Sequence, residues 1–155
     1  MRNQIGLTKE QIDQCKLIWK FLMGGDSDTG HFDDAKLEGM RIRLDTSEAH
    51  EDKSRTRFNE DRNIVILGAD AFPGTDITDP NSQLSESACL IHELSHAQRY
   101  YLGFRRPCSP SADYHPDEAE TSLHASFHSV LYPSDRLYLV EDAQKHIRSW
   151  LREKG

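Results

Sequence analysis

Residues 84–103 read Leu-Ser-Glu-Ser-Ala-Cys-Leu-Ile-His-Glu-Leu-Ser-His-Ala-Gln-Arg-Tyr-Tyr-Leu-Gly. Leu84, Ala88, Ile91 and Ser95 recur at helical spacing on one side, and Leu90, Leu94, Ala97 and Tyr101 on another. Upstream, Asp79-Pro80 forms a good N-cap and first-turn pair, and Gly103 suits the left-handed residue that closes a helix. The pattern predicts one continuous helix from Pro80 to Gly103 at the centre of the fold.

Before it, the chain reads as strands. Residues 40–45 alternate apolar and basic, as a half-exposed strand does. Arg55–Phe58 and Asn63–Leu67 flank a turn at Asn59-Glu60-Asp61. The β-branched run Ile64-Val65-Ile66, ended by Leu67-Gly68, is the expected buried strand. Further upstream, Thr8-Lys9-Glu10-Gln11 has the form of a capping box, with Leu7 and Ile12 as a hydrophobic staple. Ile12, Cys15, Ile18, Trp19 and Leu22 then mark one helical face, and Gly24-Gly25 stops it. The aspartates of the following Gly-Gly-Asp-Ser-Asp-Thr-Gly segment lack the closing Glu of a calcium loop, so it reads as a turn.

Beyond Gly103, a proline-bearing loop from Pro107 to Tyr114 leads to a helix begun near Pro116 and closed before Pro133. A last helix starts at Ser134 or Asp135 and carries Leu137, Val140, Ile147, Trp150 and Leu151. The order of helix, strands, then helices predicts an α+β domain spanning residues 1–155, with a small mixed or antiparallel sheet packed on the central helix.

A chain of 155 residues suffices for one core. Its net charge of −7, with a pI near 5.6, argues against a general nucleic-acid binder, and its mean hydropathy of −0.73 marks a modest apolar supply. The basic cluster Lys53-Ser54-Arg55-Thr56-Arg57 reads as a solvated strand or hairpin arm. No apolar run is long enough to span a bilayer, and the polar N-terminus lacks the apolar core of a Sec signal. The expected location is the cytoplasm, or a target cell reached through a specialised secretion system. Cys15, Cys89 and Cys108 are too few and too scattered for a disulfide framework and read as free thiols. Cys89, one turn before His92, reads as a buried structural thiol.

The chemistry lies in His92-Glu93-Leu94-Ser95-His96, an H-E-x-x-H pattern. Helical residues four apart differ by only about 40° in direction, so both imidazoles can face one metal. Glu93 is rotated by about 60° from His96, enough to miss the metal yet reach a water beside it. Zinc takes nitrogen ligands, and a catalytic zinc keeps one position open, so one protein ligand remains to be found. The segment Asp117-Glu118-Ala119-Glu120-Thr121-Ser122 is the expected source. Glu118, Ser122, Ala125 and Ser129 share a narrow face of small residues that lets two helices approach. Ala119, Leu123, Phe127, Val130 and Leu131 form an apolar face, and Glu120 points into it, about 200° from Glu118. Glu118 is the chosen third ligand and Glu120 the reserve. His124 and His128, another pair four apart, read as a partly solvated helix face, with a second metal site as the alternative; His31, His50 and His146 receive no role.

With Glu118 following His92–His96, the chain resembles the gluzincin branch of zinc peptidases, the thermolysin-like group. The second-helix pattern of that group, N-E-x-x-S-D, is met only loosely by residues 117–122. Ser122 stands where those enzymes have an Asp that orients the first His. His92 to Gly103 is also similar to H-E-L-x-H-A-x-R-x-x-x-G, the motif helix of short effector- and toxin-type zinc proteases. The strand Asn63–Leu67 and the Glu118-Ala119 pair resemble small zincins that cleave bacterial repressors. The resemblance spans roughly residues 55–132.

It implies a zinc-dependent metallopeptidase acting on a protein or peptide, with His92, His96 and Glu118 as ligands. Glu93 is then the general base, and an oxyanion donor is sought among Arg99, Tyr100, Tyr101, Tyr114 and His115, with Tyr114 preferred. Two other functions would use the same residues: a zinc hydrolase of a non-peptide amide, and a non-catalytic module with a structural site. Intact Glu93 argues against the second, because a structural site needs no carboxylate beside a water.

Overall fold

The computed structural model describes residues 1–23, 42–104 and 110–155. Among these it contains α1 (Lys9–Leu22), β1 (Arg43–Asp45), β2 (Arg57–Asn59), β3 (Ile64–Ile66), α2 (Pro80–Gln83), α3 (Glu86–Tyr101), α4 (Pro110–Ser126) and α5 (Pro133–Lys154). This is an α+β arrangement, with helices before and after a small mixed sheet. The Gly24-Gly25 stop, the turn that follows it, and Cys108 lie outside the described residues.

The first helix forms as its cap specifies. The Thr8 side chain accepts from Gln11 N and the Gln11 side chain accepts from Thr8 N. Cys15, Trp19 and Leu22 are buried, and the Trp19 indole donates to Ile42 O at 2.8 Å, tying α1 to the start of β1. In the sheet, β3 is central: it runs parallel to β1 and antiparallel to β2, with Val65 opposite both Leu44 and Phe58. All three β3 residues are buried, as a β-branched central strand requires. The β2–β3 turn occupies residues 60–63, and Asn63 takes the left-handed conformation (φ 55°) that Asn tolerates. Val65 and Leu67 pack with Leu90, Ile91 and Leu94 of α3 in the core.

Four sequence expectations are corrected. The helix expected from Pro80 to Gly103 is two helices, because Leu84 is extended (ψ 134°) and Ser85 caps α3, its hydroxyl accepting from Ala88 N. Buried Asp135 of α5 accepts from Ser85 N at 3.0 Å and Ser85 Oγ at 2.6 Å, while Arg2 donates to the carbonyls of Asn81 and Leu84 at the break. These partners come from distant parts of the chain and satisfy the groups that an unbroken helix would satisfy internally. The far end of α3 closes as expected, with Gly103 at φ 83° and Phe104 N donating to Arg99 O.

The helix expected from Pro116 instead begins at Pro110 and ends at Ser126, so Pro116 lies inside it. A proline removes one backbone hydrogen bond but does not forbid helix on either side when packing holds the segment. The expected apolar face of this helix holds only in part: Ala119 and Leu131 are buried, but Leu123 is 38% and Phe127 82% exposed, and Thr121, Ser122, Ala125 and Ser126 occupy the buried side. Small and hydroxyl side chains line the buried side because polar groups from α3 and α5 reach into it. The last helix begins at Pro133, one or two residues before its expected start, and packs extensively on α4, with Leu139, Asp142 and Ala143 buried.

Candidate metal centre

Helix α3 carries the H-E-x-x-H residues on a scaffold whose other positions are mostly core: Ala88, Leu90, Ile91, Leu94 and Ala97 are buried. His92 and His96, one turn apart, lie with ring centroids 4.8 Å apart and planes at 84°. Glu118 reaches across from α4. Its Oε2 is 3.1 Å from His92 Nε2 and its Oε1 is 3.1 Å from His96 Nε2. The three side chains each offer a ligand atom within 4.8 Å of the others, so they can hold a metal ion; no other such group occurs among the described residues. Two imidazole nitrogens and one carboxylate form a donor set that suits a borderline metal such as zinc and leaves a position open.

The opposite ring edges are also engaged. His92 Nδ1 lies 3.3 Å from Ser122 Oγ, and that hydroxyl donates to Asp142 Oδ2 at 2.8 Å. With its proton committed to Asp142, Ser122 is an acceptor for a proton on His92 Nδ1, the tautomer that leaves Nε2 free to ligate. His96 Nδ1 is 3.4 Å from Thr121 Oγ1 and 3.7 Å from Asp117 Oδ2. Thr121 in turn donates to Asp117 O. Both imidazoles are thus turned with Nε2 towards Glu118.

Asp142 carries no expectation from the sequence. A signal was present: it falls between Leu139 and Ala143 on the inner face of α5 and is only 2% exposed, and an acid on such a stripe needs a partner. Asp142 thus reaches His92 through the Ser122 hydroxyl, from another helix.

Glu120 has a different function. Its carboxylate accepts from Arg99 Nη2, and it stands outside the metal group. Arg99, considered above as an oxyanion donor, is 6% exposed and also donates to Asp117 O, Asp117 Oδ1 and Thr121 Oγ1. It clamps α4 to α3. Tyr100 packs against Phe58 and Tyr101, and neither tyrosine lines the cavity over the site.

Electrostatics follow from this packing. Burial pushes the Glu93 carboxyl above its ordinary range, more than the neighbouring His96 and His92 pull it down. Burial would likewise raise Glu118, but its hydrogen bonds and charge interactions with His92 and His96 hold it well below the usual value. Burial by itself would lower His96, yet Glu118, Glu93 and Asp117 carry it up to about 9.

A cavity of about 590 Å³ opens over the triad, and His92, Glu93, His96, Glu118, Tyr114 and Arg55 are among its lining residues. Tyr114 belongs to α4, one turn before Glu118, rather than to a loop. Burial, then the Glu118 charge, raises its hydroxyl, against the pull of Arg55. His115 lies beside it, with Nδ1 at 2.9 Å from His146 Nδ1 and Nε2 at 3.1 Å from Glu153. His146, which received no role above, therefore joins the cavity wall, its Nε2 3.6 Å from Asp142. Spacing along one helix gives no hint of a meeting between α4 and α5.

The second histidine pair does not converge on a metal. His124 Nε2 faces Gln98 Oε1 at 3.1 Å, and His128 lies beyond the end of α4 with Nδ1 accepting from Val130 N. Cys89 is a buried thiol, as expected, pushed up to about 12 by burial, and stands outside the metal group. No described helix is long and apolar enough to cross a membrane. No protein-family model matches this chain, nor does any curated protein or solved structure.

Proposed function

We propose that the protein is a zinc-dependent metallopeptidase. The observation that carries this reading is the convergence of His92 Nε2, His96 Nε2 and the Glu118 carboxylate beneath an open cavity, with Glu93 on the same helix and lining the same cavity. A purely structural site would have no use for Glu93 or for an open volume above the ligands.

When bound, zinc supplies Lewis acidity, polarising a carbonyl oxygen and acidifying water. The remaining chemistry is that of the protein. Glu93, raised by burial, is a carboxylate able to accept a proton from the attacking water at one oxygen and return it to the leaving amine. Ser122 and Thr121 hold the two imidazoles in the ligating orientation, and Asp142 fixes Ser122. Tyr114, on the cavity wall with its hydroxyl in the neutral form at neutral pH, is the group placed to donate to the developing oxyanion. Its position one helical turn from Glu118 supports that assignment.

The test is Glu93→Gln, assayed for zinc content and for cleavage of a complex peptide mixture read by mass spectrometry. Zinc should be retained at one ion per chain, with turnover falling by at least about a hundredfold, the scale of a lost general base. Undiminished cleavage by the variant would overturn the mechanism, and a wild-type chain that binds zinc but cuts no peptide would overturn the peptidase assignment.

A further inference from the structure

Most of the charged side chains lining the cavity already have hydrogen-bond or ion-pair partners. Arg2 donates to the carbonyls of Asp70, Ala71, Asn81 and Leu84; Arg57 pairs with Glu48; Lys145 pairs with Asp79. Among the acids, Asp70 accepts from Thr56 N, Asp142 accepts from Ser122, and Glu118 lies between the two imidazoles. Arg55 is different. Its guanidinium lines the cavity, is solvent-exposed, and has no hydrogen bond or ion pair among the described residues.

The backbone that presents it is unusually constrained. On one side Ser54 Oγ accepts from Ala69 N at 2.8 Å, and on the other Thr56 N donates to Asp70 Oδ1 at 2.6 Å. Arg55 O accepts from Arg57 Nη1 at 2.9 Å. The backbone of Gly68 presses so closely that a β-carbon there would stand 2.4 Å from the Arg55 carbonyl carbon. A solvated arm has no need of such fixing. A side chain that must meet a ligand gains from it, because less backbone entropy is lost on binding.

We propose that Arg55 recognises a carboxylate on the substrate, so that the enzyme selects peptides bearing an acidic group close to the scissile bond. This rests on the metallohydrolase reading and adds the substrate class to it. Guanidinium is suited to that partner, since its planar fork matches a carboxylate with two parallel hydrogen bonds. Among the cationic side chains on the wall, Arg55 is the one whose guanidinium is not already occupied by a described residue. Arg55 and Tyr114 line the same cavity. The acidic group can be an Asp or Glu side chain, or the C-terminal carboxylate of the peptide.

The test measures binding and does not depend on hydrolysis. Zinc-loaded wild type, Arg55→Ala and Arg55→Glu are titrated calorimetrically with linear dicarboxylates of increasing length, from succinate to suberate, and with the matching monocarboxylates. At the length that spans metal and guanidinium, the dicarboxylate should bind wild type at least about tenfold more tightly than its monocarboxylate. Arg55→Ala should abolish that preference, and Arg55→Glu should bind the dicarboxylate more weakly than Arg55→Ala does. Equal affinity of wild type for both members of every pair, or a preference that survives Arg55→Ala, would overturn the proposal. Peptides carrying Glu or Gln, with free or amidated C-termini, then show which carboxylate is read. If none of these peptides is cleaved, the peptidase assignment fails while the binding result stands on its own.

Discussion

Replacing Ser122 with Ala separates positioning of the metal ligand from simple stability. The hydroxyl lies 3.3 Å from His92 Nδ1 and 2.8 Å from Asp142 Oδ2, and both contacts are buried. Losing the bond to the Asp142 carboxylate removes a charge-assisted interaction of about 1.5–3 kcal/mol. That loss falls on the fold with or without metal and should lower the metal-free Tm by about 3–12 °C. The contact with His92 acts on the metal. Without an acceptor at Nδ1 the ring is free to rotate and change tautomer, and loss of such an outer contact weakens metal affinity by about 10- to 100-fold. The assay pairs zinc competition against a chromophoric chelator with thermal unfolding of the metal-free chain. Asp142→Asn should move both quantities in the same direction by less, because the hydroxyl remains. A Ser122→Ala protein that melts earlier but binds zinc as tightly as wild type would refute the claim that this hydroxyl orients His92.

Glu118→Ala should abolish stoichiometric zinc retention through gel filtration, whereas Glu120→Ala should leave it intact; the reverse ranking would move the third ligand to Glu120. Arg99→Ala strands Asp117, Thr121 and Glu120 and should cost about 3–5 kcal/mol in denaturant unfolding, against less than about 1 kcal/mol for Glu120→Ala, whose side chain is half exposed. Zinc binding should release close to one proton near neutral pH, because His96 titrates at about 9 without metal while Glu118 is already ionised. Calorimetry in buffers of different ionisation heat measures that number, and zero release would contradict the shared His96–Glu118 proton.

Local signals carried much of the architecture. The Thr8 box, the β-branched run at 64–66 and the Gly103 closure are encoded within a few residues of where they act, and each forms as read. The pairing of Glu118 with His92 and His96 was legible in part: the helical wheel sets Glu118 on the face of small residues that lets two helices approach, with Glu120 left as the reserve. What was missed depends on partners far along the chain. The break at Ser85 needs Asp135 and Arg2, and the orientation of His92 needs Asp142. Glu120 was assigned to an apolar stripe because Leu123 and Phe127 were assumed to be buried; both are exposed, and Arg99 explains the acid better.

The same contacts bear on whether the fold needs its metal. In many small zinc modules the ion supplies the folding free energy, and the ligands repel or dangle without it. Here the main core lies between the sheet and α3, with Val65, Leu67, Leu90 and Leu94 fully buried. The metal-free triad is moreover self-complementary, because Glu118 bridges two imidazoles. The raised His96 value adds stability that is complete below its ordinary value of 6.5 and is lost as pH rises through about 9. The lowered Glu118 value adds stability that is present above 4.5 and is lost as pH falls through its folded value. For this pair the metal-free site is therefore most stable between about 4.5 and 6.5. Above that window the proton on His96 yields progressively, its contribution to the metal-free fold declines, and competition against an incoming cation weakens. The ligands thus act as a preformed receptor whose affinity rises with pH, on a scaffold that packs without the ion.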